Sequence, residues 1–140
     1  MPIHFFSEET SFQLGKPSIY KSWLESIVLE HQKKLGDVNY IFCSDDHLLE
    51  INKTHLDHDY YTDIITFDNS DTDDSLEADI FISIDRVREN APLHGASFEN
   101  ELSRVLVHGL LHLLGYNDKT ESDTKRMREK ETAYISLLKK

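Results

Sequence analysis

Residues Leu102 to Asp118 read LSRVLVHGLLHLLGYND, and this stretch decides most of what the sequence predicts about the fold. Apart from the two histidines, nearly every position before Gly115 is apolar, which is typical of a helix buried at the centre of a domain. His108 and His112 are four residues apart, about one helical turn, so both imidazoles leave the same face. Gly115 then gives the helix a place to end. The stretch therefore predicts a central helix with two histidines and a carboxylate in the turn after it.

His108, His112 and Asp118 are the candidate metal ligands and catalytic residues. Histidines on a buried helix need polar partners or a cleft, because unpaired buried polar groups are costly. Three protein ligands leave room in a coordination shell for water, as in a catalytic zinc-type site rather than a closed structural one. The alternative is that the four-residue spacing of the two histidines arose by chance, since the chain has eight histidines. We expect one divalent metal ion, with zinc favoured.

The stretch from His108 to Asp118 resembles the signature of the YbeY family of rRNA-maturation endoribonucleases, H-G-x-L-H-L-x-G-Y-D-H. Residues 49–52 and 62–67, LEIN and TDIITF, resemble the family's L-N and T-D-V-L-S-F blocks. Residues 78–83, ADIFIS, resemble its G-D-I-x-I-S strand. The three blocks come in the family's order. The resemblance identifies the chain as a candidate member of that family.

The resemblance implies a metal-dependent single-strand endoribonuclease that acts in rRNA maturation and ribosome quality control. The implied partners are an rRNA precursor and the small ribosomal subunit. Two alternatives stay open, namely a metal hydrolase with a different substrate and a non-catalytic, ribosome-associated metal-binding module. Gly109 stands where the extended zinc-protease motif has its glutamate base, which disfavours peptide hydrolysis by that mechanism.

Asn117 and Asp118 replace the last two residues of the signature, and two departures from the family pattern matter. Asp118 replaces the last histidine of the signature, and a carboxylate favours oxygen-loving ions more than imidazole does. Leu56 stands where the family has an arginine thought to help activity, and its absence keeps the non-catalytic alternative open.

Composition sets further expectations. The 140 residues carry a formal charge of −11, which argues against gripping nucleic acid by general electrostatics. The single cysteine, Cys43, cannot form an internal disulfide, which suits a reducing cytoplasm. No apolar run has the length of a membrane span, and the N-terminus does not resemble a signal peptide. We expect one cytoplasmic domain spanning residues 1–140; the oligomeric state and the substrate-binding residues are not predicted.

The pattern along the chain predicts an α+β (α/β-like) fold, with a small mixed sheet of about four strands and the histidine helix packed centrally. Strands are expected at 3–6, 38–43, 63–68 and 78–84, the last two forming a hairpin-like pair. Helices are expected from about residue 17 until Gly36, from Ser44 to about Asn52, at 85–90 before Pro92, after Ser97, and from Thr120 to about 138.

Other polar residues are open to two interpretations. The stretch 55–61 is predicted to be a solvated loop rather than a second metal site, although it holds His55, Asp57, His58 and Asp59. Asp63 and Asp79 are as compatible with structural roles as with functional ones. The cations available for phosphate are Arg86, Arg88 and Arg104, and surface solvation explains each of them equally well. Tyr116 could stack on a base, but packing over the helix end is favoured.

Overall fold

The computed structural model describes residues 2–58 and 61–138. These residues form strands and helices in the order β1 (Ile3–Glu8), α1 (Pro17–Glu30), β2 (Lys34–Cys43), α2 (Asp45–Leu56), β3 (Ile64–Asp68), β4 (Ser75–Ser83), α3 (Ile84–Leu93), α4 (Phe98–Leu113) and α5 (Glu121–Ser136).

The four strands form one mixed sheet in the order β1-β2-β4-β3. The strand pairs β1–β2 and β2–β4 are parallel, whereas β3 runs antiparallel to β4, with Ile65 opposite Phe81. The predicted α+β fold with a small mixed sheet is therefore confirmed, and so is the hairpin-like pair.

The sheet is covered on both faces because side chains alternate along its strands. Ile80 and Ile82 of β4 enter the main core, together with fully buried Leu106 and Leu110 of α4. Phe81 points to the other cluster, which α2 covers. The histidine helix, α4, contacts α1, α3, α5, β3 and β4, which confirms its predicted central position.

Gly109 allows α4 to lie close to the sheet. A Cβ atom at this position would be 2.7 Å from Cδ1 of Ile64, 3.4 Å from Cγ2 of Ile80 and 3.5 Å from Cγ2 of Thr66. A distance of 2.7 Å is well inside ordinary carbon–carbon contact. Gly109, which stands where the zinc-protease motif has its glutamate, therefore allows close packing of the helix on the sheet.

The helix starts follow local sequence as expected. The side chains of Ser44, Ser97 and Thr120 accept hydrogen bonds from backbone N–H groups three residues later, at 3.1–3.2 Å. Gly115 has a φ of 106°, a left-handed conformation that favours glycine, just after α4 ends.

Several predicted boundaries were wrong. Helix α1 ends at Glu30 instead of near Gly36, because Gln32 takes the left-handed conformation, with a φ of 60°, and Gly36 lies inside β2. Helix α2 continues past Asn52 to Leu56, so the first part of the predicted loop is helical. Residues 59 and 60 of that loop, including the predicted Asp59, lie outside the described residues.

The boundary between β4 and α3 also differs from the prediction. Strand β4 ends at Ser83, whose hydroxyl accepts the Arg86 N–H at 3.1 Å, so Ile84 belongs to α3. Pro92 lies inside the last turn of α3. A proline removes one helical N–H donor, but the His94 N–H still bonds to the carbonyls of Asn90 and Ala91 and closes the turn.

The described residues contain no helix that is long and apolar enough to cross a membrane. Cys43 is fully buried, and its thiol lies 3.5 Å from the Ile82 carbonyl. This cysteine is therefore a core residue.

Candidate active site

A cleft of about 320 Å³ opens beside α4 and α5. Its lining includes Asp63, Arg104, His108, Asp118, Arg128 and Glu131. The cleft therefore gathers two of the three predicted site residues with charged side chains from distant parts of the sequence.

His108 is held by a carboxylate from the neighbouring helix. Its Nδ1 lies 2.6 Å from Oε2 of Glu131 on α5, a charge-assisted hydrogen-bond distance. This hydrogen bond raises the pKa of His108 above its usual value, although burial of the ring opposes the shift.

Glu131 is itself buried, with 3% of its surface exposed. Its second carboxylate oxygen, Oε1, accepts a hydrogen bond from Nη1 of Arg104 at 3.0 Å. Nη2 of Arg104 donates to the Thr132 hydroxyl at 3.2 Å. Buried charges are tolerated when they are paired and hydrogen-bonded, and this network ties α4 to α5 at the cleft.

The turn after α4 brings Asp118 back to the cleft. Tyr116 packs over the helix end as predicted, with its hydroxyl 3.0 Å from Nε2 of His31. The Thr124 hydroxyl donates to the Asp118 carbonyl at 3.2 Å, which anchors the turn to α5. Oδ2 of Asp118 then lies 3.6 Å from Nε2 of His108.

The spacing between these two atoms suits a shared metal ion. Tetrahedral zinc has bonds of roughly 2.0–2.2 Å to nitrogen and oxygen ligands, which puts neighbouring ligand atoms roughly 3.3–3.6 Å apart. The separation of Nε2 of His108 from Oδ2 of Asp118 is 3.6 Å. The two side chains therefore fit two positions of such a site.

His112 is not brought into this pair. It lies one turn further along α4, and its exposed side chain makes no hydrogen bond or ion pair with a described residue. Across residues 2–58 and 61–138, no three histidine, cysteine or acidic side chains are grouped so that they could hold a metal ion. The three-ligand site stays a prediction.

The two strand aspartates have different surroundings. Asp63 lines the cleft, and burial raises the pKa of its carboxyl above the usual value. Asp79 accepts hydrogen bonds from the side-chain amides of Asn39 at 3.0 Å and Asn69 at 3.2 Å. Asp79 therefore has a sufficient structural role, whereas Asp63 belongs to the candidate site.

The arginines singled out from the sequence are largely engaged elsewhere. Arg86 pairs with Asp45 at 2.7 Å and with a carboxylate of its own helix. Arg88 lies over the Phe98 ring, and Arg104 is bound to a glutamate. Arg128, which the sequence did not single out, lines the cleft, is exposed and forms no ion pair with any described residue.

Glu131 was also missed, although the sequence contains a signal for it. Met127, Glu131 and Tyr134 follow one another at helical spacing, and all three are buried. A glutamate at a core position of an amphipathic helix needs a cationic or hydrogen-bonding partner. The sequence could have flagged Glu131 in this way, but could not have named His108 as the partner.

Comparison with known proteins now places the chain in a family. The family described as Endoribonuclease YbeY matches residues 6–139 of the chain. The chain belongs to the YbeY family. The Endoribonuclease YbeY of Cytophaga hutchinsonii is 53% identical over 137 residues, which cover 98% of this chain and 96% of that protein. The Endoribonuclease YbeY of Flavobacterium psychrophilum is 46% identical over 132 residues, which cover 94% of this chain and 94% of that protein.

A solved structure agrees with the YbeY assignment. The solution structure of TM1509 from Thermotoga maritima matches with a TM-score of 0.69 at 30% identity, covering 97% of this chain and 88% of that one. The YbeY resemblance inferred from the sequence is therefore confirmed. The stretch that resembles the YbeY signature begins in the second half of α4 and continues through the turn after it.

Proposed function

We propose that this chain is a metal-dependent endoribonuclease that cleaves single-stranded RNA during the maturation of ribosomal RNA precursors. The observation that carries the proposal is the pair formed by His108 and Asp118, whose Nε2 and Oδ2 atoms lie 3.6 Å apart at a cleft. Relatives with about half of their residues identical are named endoribonucleases, which supports RNA as the substrate.

The proposed metal ligands are His108, His112 and Asp118, with one divalent ion and zinc favoured. A bound ion of this kind supplies Lewis-acid polarisation of a phosphoryl oxygen. The side chain of His112 is exposed and makes no hydrogen bond with the described residues, so it can turn toward the pair without breaking one. Asp118 contributes a negative charge that imidazole lacks, which reduces the net positive charge of the loaded site.

Arg128 is the proposed contact for an RNA phosphate. It lines the cleft and forms no ion pair with a described residue, so it can bind an anion without breaking an existing ion pair. The rest of the chain contributes little general attraction, since the net charge is −11. Binding is therefore expected to be weak and to fall with salt.

The preference for a single strand follows from shape. A cleft of about 320 Å³ accepts one flexible strand more readily than the regular double helix of A-form RNA. We place this activity in the cytoplasm, on RNA of the small ribosomal subunit, in one domain spanning residues 1–140. The match of the family over residues 6–139 supports that extent.

The test is a time course with a labelled single-stranded RNA, with added divalent metal and with a chelator. Wild type is compared with His108→Ala and with the matched control His4→Ala. His4 is a surface histidine on the edge strand β1, and it pairs with Asp37. The proposal expects metal-dependent cleavage by wild type and the control, and only background cleavage by His108→Ala.

Two results would contradict the proposal. Equal cleavage by wild type and His108→Ala would assign the activity to another site or to a contaminating nuclease. RNA binding by wild type without cleavage under any divalent metal would favour the non-catalytic module, an alternative that Leu56 leaves open.

A further inference from the structure

We infer that Glu131 is a positioning residue, which holds His108 in the tautomer with its proton on Nδ1 and so presents the lone pair of Nε2 to the cleft. The consequence for metal binding rests on the proposed function. The tautomer itself does not, because it follows from hydrogen bonds between protein groups.

The geometry leaves His108 little choice of tautomer. An ionised carboxylate only accepts hydrogen bonds, so the imidazole atom 2.6 Å from Oε2 of Glu131 must be the donor. A neutral imidazole has one N–H, which places the proton on Nδ1. Nε2 is then unprotonated, and it lies 3.6 Å from Oδ2 of Asp118, beyond hydrogen-bond distance.

Arg104 holds the Glu131 carboxylate in place. The guanidinium donates to Oε1 at 3.0 Å, so the two oxygens of the carboxylate are divided between Arg104 and His108. Arg104 is fixed in turn by the Thr132 hydroxyl at 3.2 Å. With both oxygens committed, a small rotation of the carboxylate cannot release His108 without also disturbing Arg104.

A purely structural role of Glu131 would not require its hydrogen bond to His108. An ion pair between Arg104 and Glu131 is enough to join the two helices, and replacing a buried ion pair can be nearly neutral for stability. The bond to His108 adds control over the one ring nitrogen that faces the cleft. Carboxylates that accept from the second nitrogen of a histidine ligand orient the ring and fix its tautomer.

Glu131→Gln separates the two roles. The single carbonyl oxygen of the glutamine can take the place of only one carboxylate oxygen, facing either Arg104 or His108. Arg104 is the stronger donor because it is permanently charged, so the carbonyl faces Arg104. The amide NH₂ then faces Nδ1 of His108, which must become the acceptor, so the proton moves to Nε2. A proton on Nε2 competes with a metal ion for the same lone pair.

The experiment records long-range ¹H–¹⁵N spectra of the metal-free protein at a pH well above the raised pKa of His108, where its ring is neutral. The two tautomers give distinct ring-nitrogen patterns, and His108→Ala identifies the signals. The matched control is Glu129→Gln, an exposed position on the same helix. Zinc dissociation constants are measured by competition with a chelator, and thermal unfolding shows that each variant is folded.

We expect the Nδ1–H tautomer in wild type and in Glu129→Gln, and the Nε2–H tautomer in Glu131→Gln. Zinc should dissociate from Glu131→Gln about 10–100 times more readily, as is typical when the carboxylate behind a histidine ligand is lost. Glu131→Asp, which keeps the carboxylate, should retain the wild-type tautomer.

A wild-type His108 in the Nε2–H form would overturn the inference directly, whether or not Glu131→Gln folds. So would a folded Glu131→Gln that keeps the wild-type tautomer. If wild type itself binds no zinc, the metal part of the proposed function fails, while the tautomer spectra still decide the role of Glu131.

Discussion

Replacing Gly109 with alanine tests the close packing that puts α4 on the sheet. The added Cβ would lie 2.7 Å from Cδ1 of Ile64 and 3.4 Å from Cγ2 of Ile80. Alanine gains about 1 kcal/mol over glycine in helix propensity, whereas overpacking a dense core costs about 1–3 kcal/mol. The packing cost is the larger, so we expect Gly109→Ala to lose about 1 kcal/mol of unfolding free energy.

The nearest obstacle to the new methyl group can be removed separately. Ile64→Val deletes Cδ1, and on its own should cost about 0.5–1.5 kcal/mol. In the double variant the deleted methyl makes room for the new one, so the two changes should be less harmful together than their sum. We expect a favourable coupling free energy of about 1 kcal/mol, within the range of contacting residues.

Urea unfolding of wild type, both single variants and the double variant measures the coupling, provided that all four share one m-value. Gly15→Ala is the control, since a Cβ there would meet nothing within 4 Å. Its effect should stay within about 0.5 kcal/mol. A Gly109→Ala variant more stable than wild type by the full helix propensity, or additive effects in the double variant, would refute the packing argument.

Three further predictions concern single side chains. Burial, reinforced by nearby carboxylates of which Glu8 is the largest contributor, raises the pKa of Cys43 to about 12. Iodoacetamide should therefore leave the native protein unmodified at mildly alkaline pH and label it once after denaturation, and rapid labelling of the native protein would contradict this burial. Asp118→His should keep metal binding, because imidazole suits the same tetrahedral position; loss of metal in a folded variant would assign Asp118 another role. Arg128→Ala should weaken RNA binding and reduce the slope of log affinity against log salt by about 1; an unchanged slope in a filter-binding titration would remove Arg128 from the substrate contacts.

Local features of the sequence were sufficient for the parts of the fold that depend on neighbouring residues. The caps at Ser44, Ser97 and Thr120 were predicted because a hydroxyl there bonds to an N–H three residues away. Helix α4 was predicted because its apolar pattern is unusually continuous. The pairing of β3 with β4 follows from two alternating strands separated by a short polar turn.

Features set by conformation or by tertiary contact could not be predicted in the same way. The end of α1 depends on Gln32, a non-glycine residue in the left-handed region, which the residue type does not announce. Glu131 lies 23 residues after His108 in the sequence, and the two meet only because α5 folds back against α4. Sequence spacing placed both histidines on one helix face, but only His108 is held there by a neighbouring helix.

His108, His112 and Asp118 are proposed to hold one metal ion together. Elemental analysis of purified wild type, His112→Ala and the control His4→Ala tests this proposal most directly, since His112 is the one proposed ligand that the cleft does not hold. We expect about one divalent ion per chain in wild type and the control, and almost none in folded His112→Ala. Unchanged metal content in His112→Ala would contradict the proposal.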